Sequence, residues 1–283
     1  MRVLGLDLGG SGVRAAVVER GEVGEVASLT FEPAGAWEAV THLARRFGPL
    51  DAVGLGLPGQ VRDGVVLGAP NLPQLVGHDV GARLREALGV PVVVDNDANV
   101  AALGAARAWG LGDAALLTLG TGVGAGLVAG GTLLRGVSGA AGELGHLPMG
   151  GDRLCGCGAV GCLETVVGTV GLLAAARAAG SAVATGEAVV DAARAGVPWA
   201  VAAMAEAGRA LGQAVVTVVA LTNPARVGFV GGLAAAEDLL APGVEAALAR
   251  WALPSGRDLS LAWGGRADRW AILGAAALAE AAR

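Results

Sequence analysis

The sequence predicts an α/β fold, on three observations. Short apolar runs of strand character alternate with helical stretches, which implies a sheet at least partly parallel. The segment Leu6–Val18, LDLGGSGVRAAVV, aligns with Leu117–Ala129, LTLGTGVGAGLVA, each a strand, a small-residue turn and a second strand. This internal echo suggests two domains of similar topology facing each other, although any Gly-rich hairpin would align comparably. Finally, the 283 residues are 54% hydrophobic and only 16% charged, so the chain can bury a large core as one domain or two.

The elements follow in order. Arg2–Leu8, Val13–Glu19 and Val23–Phe31 are β-rich runs separated by Gly-containing turns, as in a meander. Helical spacing covers Ala36–Phe47. Strands are expected at Ala52–Leu57 and Val90–Val94, with a helix over Asp79–Leu88 between them and another running to about Ala108. Residues Ala114 to Leu134 carry no charge, long enough to raise a membrane helix. Their glycines and threonines read instead as strand, turn and strand. Beyond residue 164 the chain is Ala-rich and helical, with Pro198 near the start of a long run that ends before Asn223-Pro224. Within it, Leu211–Leu221 is expected to be buried. Arg226–Leu233 reads as a buried strand entering a Gly-Gly turn, and Trp270–Ala282 as a closing helix.

Composition excludes several functions. The net charge of −5, with no basic run, argues against nucleic acid as the main partner. There is no Lys, which removes a Walker-type phosphate loop and any Schiff-base mechanism. Asp7 interrupts the N-terminal apolar stretch, so no signal peptide is read there, and a cytoplasmic protein without membrane partners is expected.

The densest chemistry lies in 142–164, GELGHLPMGGDRLCGCGAVGCLE. It holds all three cysteines, Cys155, Cys157 and Cys162, together with His146, Glu143 and Glu164. Thiolate and imidazole suit tetrahedral zinc, and a short loop of this spacing can wrap one ion. With His146 as fourth ligand the site would be closed and structural. The competing readings are a disulfide, which three cysteines in so short a loop disfavour, and a single reactive thiol, which leaves the other two unexplained. Glu143 and Glu164 bracket the loop; a fixed loop would aim both acids at a small polar ligand such as a polyol, the alternative being two ordinary surface acids.

The turns Gly9-Gly10-Ser11-Gly12 and Gly120-Thr121-Gly122-Val123-Gly124 leave backbone N–H groups open to phosphate oxygens. As a duplicated pair they suggest a nucleotide clamped between domains. Asp7, beside the first turn, is placed to hold Mg²⁺ through water, or simply to cap the turn. Asp95-Asn96-Asp97-Ala98-Asn99 follows a strand and precedes a helix; polar side chains there face the ligand crevice of α/β proteins, and one of them can serve as the helix N-cap. Arg14 reads as an exposed strand residue, the alternative being a role in phosphate binding.

These residues resemble the signatures of the ROK sugar kinases (repressor, open reading frame, kinase). The matching stretches are DLGGSGVR (7–14), with Ser11 where Thr is usual, NDAN (96–99), LGTGVGAG (119–126), ELGH (143–146) and CGCGAVGCLE (155–164), with Pro58-Gly59 and Asn71-Leu72 also fitting. The resemblance implies an actin-like ATPase, ribonuclease-H-like fold. It would comprise a small α/β domain over 1–108, with 268–283 packing back on it, and a large one over 109–267, with ATP and sugar in the cleft. It implies Asp97 as the general base and Gly59, Asn71, Asn96, Asp97, Glu143, His146 and Glu164 as sugar contacts. Asp7, Gly9, Gly10, Ser11, Gly12, Thr121, Gly122, Gly124, Gly231 and Gly232 would serve Mg-ATP, and His146, Cys155, Cys157 and Cys162 the zinc. The implied activity is ATP-dependent phosphorylation of a hexose, typically at C6. Glucose is the leading sugar, and N-acetylglucosamine, N-acetylmannosamine or fructose the alternatives. A sugar-sensing binding protein is the non-enzyme alternative. A homodimer or homotetramer is implied. With the first phosphate motif at residue 7, no helix-turn-helix domain is expected ahead of it.

Overall fold

The computed structural model describes residues 1–282. Two compact units emerge: Met1–Gly112 with Gly126–Gly142 and the stretch from Arg266 on, and Asp113–Ala125 with Glu143–Gly265. Residues 126–142, expected in the second domain, therefore cluster with the first unit. Their anchor is a close approach: a Cβ on Gly126 would lie 2.6 Å from Ala102 Cβ and 2.7 Å from the Ala98 carbonyl oxygen.

The first unit begins with β1 (Val3–Leu8), β2 (Gly12–Glu19), β3 (Glu22–Val23), β4 (Ala27–Thr30), α1 (Ala36–Arg45), β5 (Ala52–Leu57) and the hairpin β6 (Gln60–Arg62) and β7 (Val65–Gly68). It continues through α2 (Val80–Leu88), β8 (Val92–Asn96) and α3 (Asp97–Trp109). Its sheet runs β3-β2-β1-β5-β8, with β4 also on β2; β1, β5 and β8 are parallel and β2 is antiparallel to β1. The run Val23–Phe31 is thus two short strands, both paired to β2. Every residue of β1 and β5 is buried, as in a strand covered on both faces. Leu4, Leu6, Leu55 and Leu57 pack on one face with Val40, Leu43 and Leu84, while Val3, Ala16 and Ala52 pack with Ile272 and Ala276.

The second unit follows with β9 (Ala114–Leu119), β10 (Val123–Ala129) and β11 (Thr132–Leu133), the end of this hairpin falling in the 126–142 stretch above. Then come α4 (Glu164–Val167), α5 (Thr169–Ala178), α6 (Gly186–Arg194), α7 (Pro198–Thr222), β12 (Arg226–Val230), α8 (Glu237–Trp251) and β13 (Ser260–Trp263). The sheet order is β11-β10-β9-β12-β13, with β9, β12 and β13 parallel. It repeats the plan of the first sheet: a hairpin leads into parallel strands, so β9 stands where β1 does and β12 where β5 does. The closing helix α9 (Ala267–Ala281) belongs to the first unit and crosses α3 so closely that Gly104 and Gly274 have no room for a side chain. A Cβ on Gly274 would lie 1.7 Å from the Val100 carbonyl oxygen.

Three departures from the sequence expectation have physical causes. Strand β8 starts two residues later than Val90 and carries on through Asp95 and Asn96, pairing Leu57 with Asn96. Pro91 has no N–H to give, and the strand continues on its polar end because β5 still offers partners. The hairpin β6–β7 was not anticipated, although Asp63-Gly64 is a two-residue turn signal; both adopt positive φ, 53° and 85°. Leu221, expected inside the buried part of α7, is 76% exposed. Helix α7 is also long and apolar enough to cross a membrane, but 56% of its most apolar window is buried inside the protein.

Candidate functional site

The site residues fall into two groups, one in each unit. In the first unit, the β1–β2 turn folds on itself through a hydrogen bond from Gly9 N–H to the Gly12 carbonyl at 2.7 Å. Directly behind it, Asp7 of β1 and Arg14 of β2 are cross-strand partners, and Arg14 Nη2 donates to Asp7 Oδ2 at 2.5 Å. Arg14 is thus an exposed strand residue, as expected, that also pairs with Asp7. Burial pushes the Asp7 carboxyl above its ordinary range, against the pull of the Arg14 guanidinium. Asn71 lies next to the turn: a Cβ on Gly10 would be in ordinary contact, 3.4 Å, with Asn71 Cβ.

The end of β8 holds the second part of this group. Asn96 is the N-cap of α3, its Oδ1 accepting from Asn99 N–H at 3.1 Å, while its Nδ2 donates to the Gly59 carbonyl at 3.0 Å. Gly59 sits at φ +133°, and a Cβ there would run into the Gly68 carbonyl oxygen at 2.1 Å, so only glycine fits. Asp97 is the first helical residue and half-buried; its Oδ1 accepts from the Ala98 N–H at 2.8 Å.

Asp95 is a residue whose role sequence reasoning missed. It is 5% exposed, and its Oδ1 accepts from Asn96 N–H and Asn99 Nδ2, at 2.7 and 2.8 Å. Its Oδ2 accepts from Arg135 Nε at 2.6 Å. Of the polar run 95–99, then, Asn96 caps, Asp95 and Asn99 brace, and Asp97 opens the first turn of the helix. No local signal marked Arg135 as the partner of a residue forty positions earlier.

In the second unit, the β9–β10 turn closes through Gly120 N–H to the Gly122 carbonyl, 3.0 Å. Gly124, expected in the turn, lies one residue inside β10, because the strand starts at Val123. The cysteine loop is laced by the bridges Pro148↔Cys162 and Leu154↔Val160 and by Arg153, whose Nη1 donates to the Thr165 carbonyl at 2.8 Å. Those contacts gather His146, Cys155, Cys157 and Cys162 so that one ligand atom from each lies within 4.8 Å of all the others. Cys157 and Cys162 Sγ are 3.7 Å apart, and Cys155 Sγ is 3.6 Å from His146 Nδ1. Tetrahedral zinc with bonds of about 2.3 Å places its sulfurs about 3.8 Å apart, so the four residues fit a closed structural zinc site. Burial pushes the Cys155 and Cys162 thiols up, while hydrogen bonds, the Ala159 backbone first, pull the exposed Cys157 down.

Both bracketing acids are tied to this loop. His146 Nε2 lies 3.8 Å from Glu143 Oε2. The Cys155 thiol donates to Glu164 Oε1 at 2.9 Å, and Glu164 Oε2 rests where a Cβ on Gly122 would come within 2.5 Å of it. The cysteine loop, Glu164 and the second glycine turn thus form one connected block. Beside it, Gly120, Thr121 and Gly232 line a cavity of about 480 Å³ with Glu187, Asp191 and Arg194 of α6. That volume falls within the range of small-ligand pockets. The three α6 side chains gave no sequence signal, since each reads as ordinary helix-surface charge; Arg194 pairs with Asp238 at 2.7 Å.

Comparison with known proteins agrees with this geometry. The chain resembles the ROK hexokinase of Thermus thermophilus, with 32% identity, a TM-score of 0.86, and coverage of 100% of this chain and 99% of that one. It resembles a ROK family glucokinase from Streptomyces griseus, solved with glucose and AMPPNP, at 28% identity and a TM-score of 0.79, covering 99% of this chain and 100% of that one. A glucokinase of Halalkalibacterium halodurans is 47% identical over 133 residues, 44% of this chain but only 39% of that relative's length. The chain has the actin-like ATPase fold of these neighbours. The family model described as ROK family matches residues 3–282, and with the glycine turns, the Asn96-Asp97 helix start and the cysteine loop all in place, the chain belongs to the ROK family.

Proposed function

We propose that this protein is an ATP-dependent hexose kinase that phosphorylates the 6-hydroxyl, with glucose as its leading substrate. The observation that carries the proposal is Asp97: a half-buried carboxylate at the first turn of α3, its backbone fixed by the Asn96 cap and the buried Asp95. In this reading Asp97 takes the proton of the sugar hydroxyl as that oxygen bonds to the γ-phosphorus. The bond from the γ-phosphorus to the bridging oxygen breaks, and ADP leaves with its electron pair. Such transfer depends on positioning and charge neutralisation more than on covalent help.

Asn96, Gly59, Asn71, Glu143, His146 and Glu164 serve the sugar hydroxyls, and the two glycine turns with Gly231 and Gly232 serve the nucleotide. Asp7 retains one oxygen beyond its bond to Arg14, which suits a metal-bound water, and Mg²⁺ held there supplies neutralisation of phosphate charge. Zinc on His146, Cys155, Cys157 and Cys162 fixes the loop that presents Glu143 and Glu164.

The test is ADP release by the purified protein with Mg-ATP and, separately, glucose, N-acetylglucosamine, N-acetylmannosamine and fructose. Glucose is expected to give the highest kcat/KM. Asp97→Asn is expected to bind the sugar and to lose about 10²- to 10⁴-fold in kcat. Near-normal turnover in that variant would remove Asp97 as the base, and sugar binding without turnover in the wild type would favour a sensor.

A further inference from the structure

A second cavity, about 470 Å³, lies wholly within the first unit, along β8, the last strand of its sheet. None of the residues assigned above to sugar, nucleotide or zinc lines it. Its wall instead brings together Arg62 from the end of β6, Arg85 from the last turn of α2 and Arg135 from the strap after β11, with Asp63 and Asp95 as its acids. In an acidic protein three guanidiniums on one hollow are a local reversal of charge.

The hydrogen bonding on that wall is unbalanced. Asp95 has both oxygens engaged, as described, so it offers little more to any cation. Arg135 spends its Nε on Asp95 and is 41% exposed, which leaves its terminal nitrogens for a ligand. Arg85 makes one long bond, 3.3 Å, to the Val92 carbonyl. Arg62 is exposed and makes no ion pair or side-chain hydrogen bond among the described residues. Asp63 adds one carboxylate to the wall, yet the guanidinium donors of three arginines still outnumber the acceptors, and the apolar lining of Val92, Val94 and Leu278 weakens competition from water. Guanidinium groups recognise carboxylate and phosphate oxygens through paired, charge-assisted bonds.

We propose that this cavity binds a small multivalent anion carrying phosphoryl or carboxylate groups, held by Arg62, Arg85 and Arg135. The guanidinium that would receive it is the one that braces Asp95, so occupancy would reach the Asn96-Asp97 helix start. That consequence rests on Asp97 being the catalytic base; the binding itself does not.

The experiment is calorimetric titration of the full chain with phosphoenolpyruvate and, separately, with tricarballylate, each with and without AMPPNP. Saturable one-to-one binding of at least one probe is expected, unchanged by AMPPNP and weakened with added salt. Arg62→Ala and Arg85→Ala should each weaken it roughly tenfold or more, the effect of losing a charged hydrogen bond. Absence of saturable binding by both probes, displacement by AMPPNP, or equal affinity in the folded Arg62→Ala variant would overturn the site. Turnover is not read at any point, so failure of the kinase reading leaves the result intact.

Discussion

The two glycine turns are built to one plan and charged in two ways. In the first, the acid comes from the hairpin itself: Asp7 on β1 faces Arg14 on β2 in direct register. At the aligned positions of the second hairpin stand Thr118 and Ala125, both without charge. The second turn takes its acid from elsewhere, since Glu164 reaches Gly122 from the far end of the cysteine loop. One turn thus has a local, buried, arginine-paired carboxylate, and the other a distant one whose position depends on how the loop is held. A repeated backbone can carry unlike chemistry because pleat and turn constrain the main chain, while charge is set residue by residue.

The widest separation between the two turns should come from removing the acid of the first. Asp7→Asn is expected to lower kcat by about 10²- to 10³-fold, the scale for losing one electrostatic contributor, whereas Thr118→Ala should stay within a fewfold of wild type. The same variant should show the opposite sign in stability. Asp7 has a raised native pKa, so its contribution is fully present below the ordinary value of 3.8 and is lost as pH rises through the native value. Thermal melts across that range should therefore show wild type falling behind Asp7→Asn toward neutral pH; a constant gap would contradict the burial argument.

Metal removal should separate the turns next, because only the second depends on the cysteine loop. Stripping zinc with a strong chelator is expected to release about one ion per chain. A loss of roughly 3 kcal/mol would lower the melting temperature by about 6–12 °C. Sugar binding should weaken with it, and an unchanged melt and affinity would mean that the loop holds itself.

The smallest effects test room for a methyl group. Gly122→Ala would place its Cβ 2.5 Å from Glu164 Oε2, so the carboxylate must move; KM for the sugar should rise several-fold with stability lowered by about 1 kcal/mol. Gly10→Ala meets only ordinary contact with Asn71 and should stay within about 0.5 kcal/mol of wild type. Equal effects at both positions would erase the asymmetry.

Legibility in the sequence followed the same division between local and distant. The strand Ala52–Leu57, the start of α7 at Pro198 and the hairpins around both glycine turns could be read directly, because strand runs, prolines and glycines act over a few residues. The cluster of His146, Cys155, Cys157 and Cys162 was readable for the same reason, all four residues lying within one short loop. Pattern reading failed where a partner lay far away. The Ser260–Trp263 strand is four half-buried residues given meaning only by pairing with β12. The cavity walls on α6, and the arginines around β8, look like plain surface charge until the fold collects them.

By itself, then, the sequence determined the α/β alternation, the duplicated hairpins, the family signatures and the gathering of His146 and the three cysteines in one loop, since each is encoded within one element or loop and its flanking turns. Only the tertiary structure decided that residues 126–142 pack with the first unit, that Arg14 is tied to Asp7, and that Arg135 braces Asp95. It also decided that Glu164 reaches the second glycine turn. The physical reason is that an ion pair or a close backbone approach is a matter of distance in space, and distance between elements is fixed by packing the whole core, not by the spacing of letters along the chain.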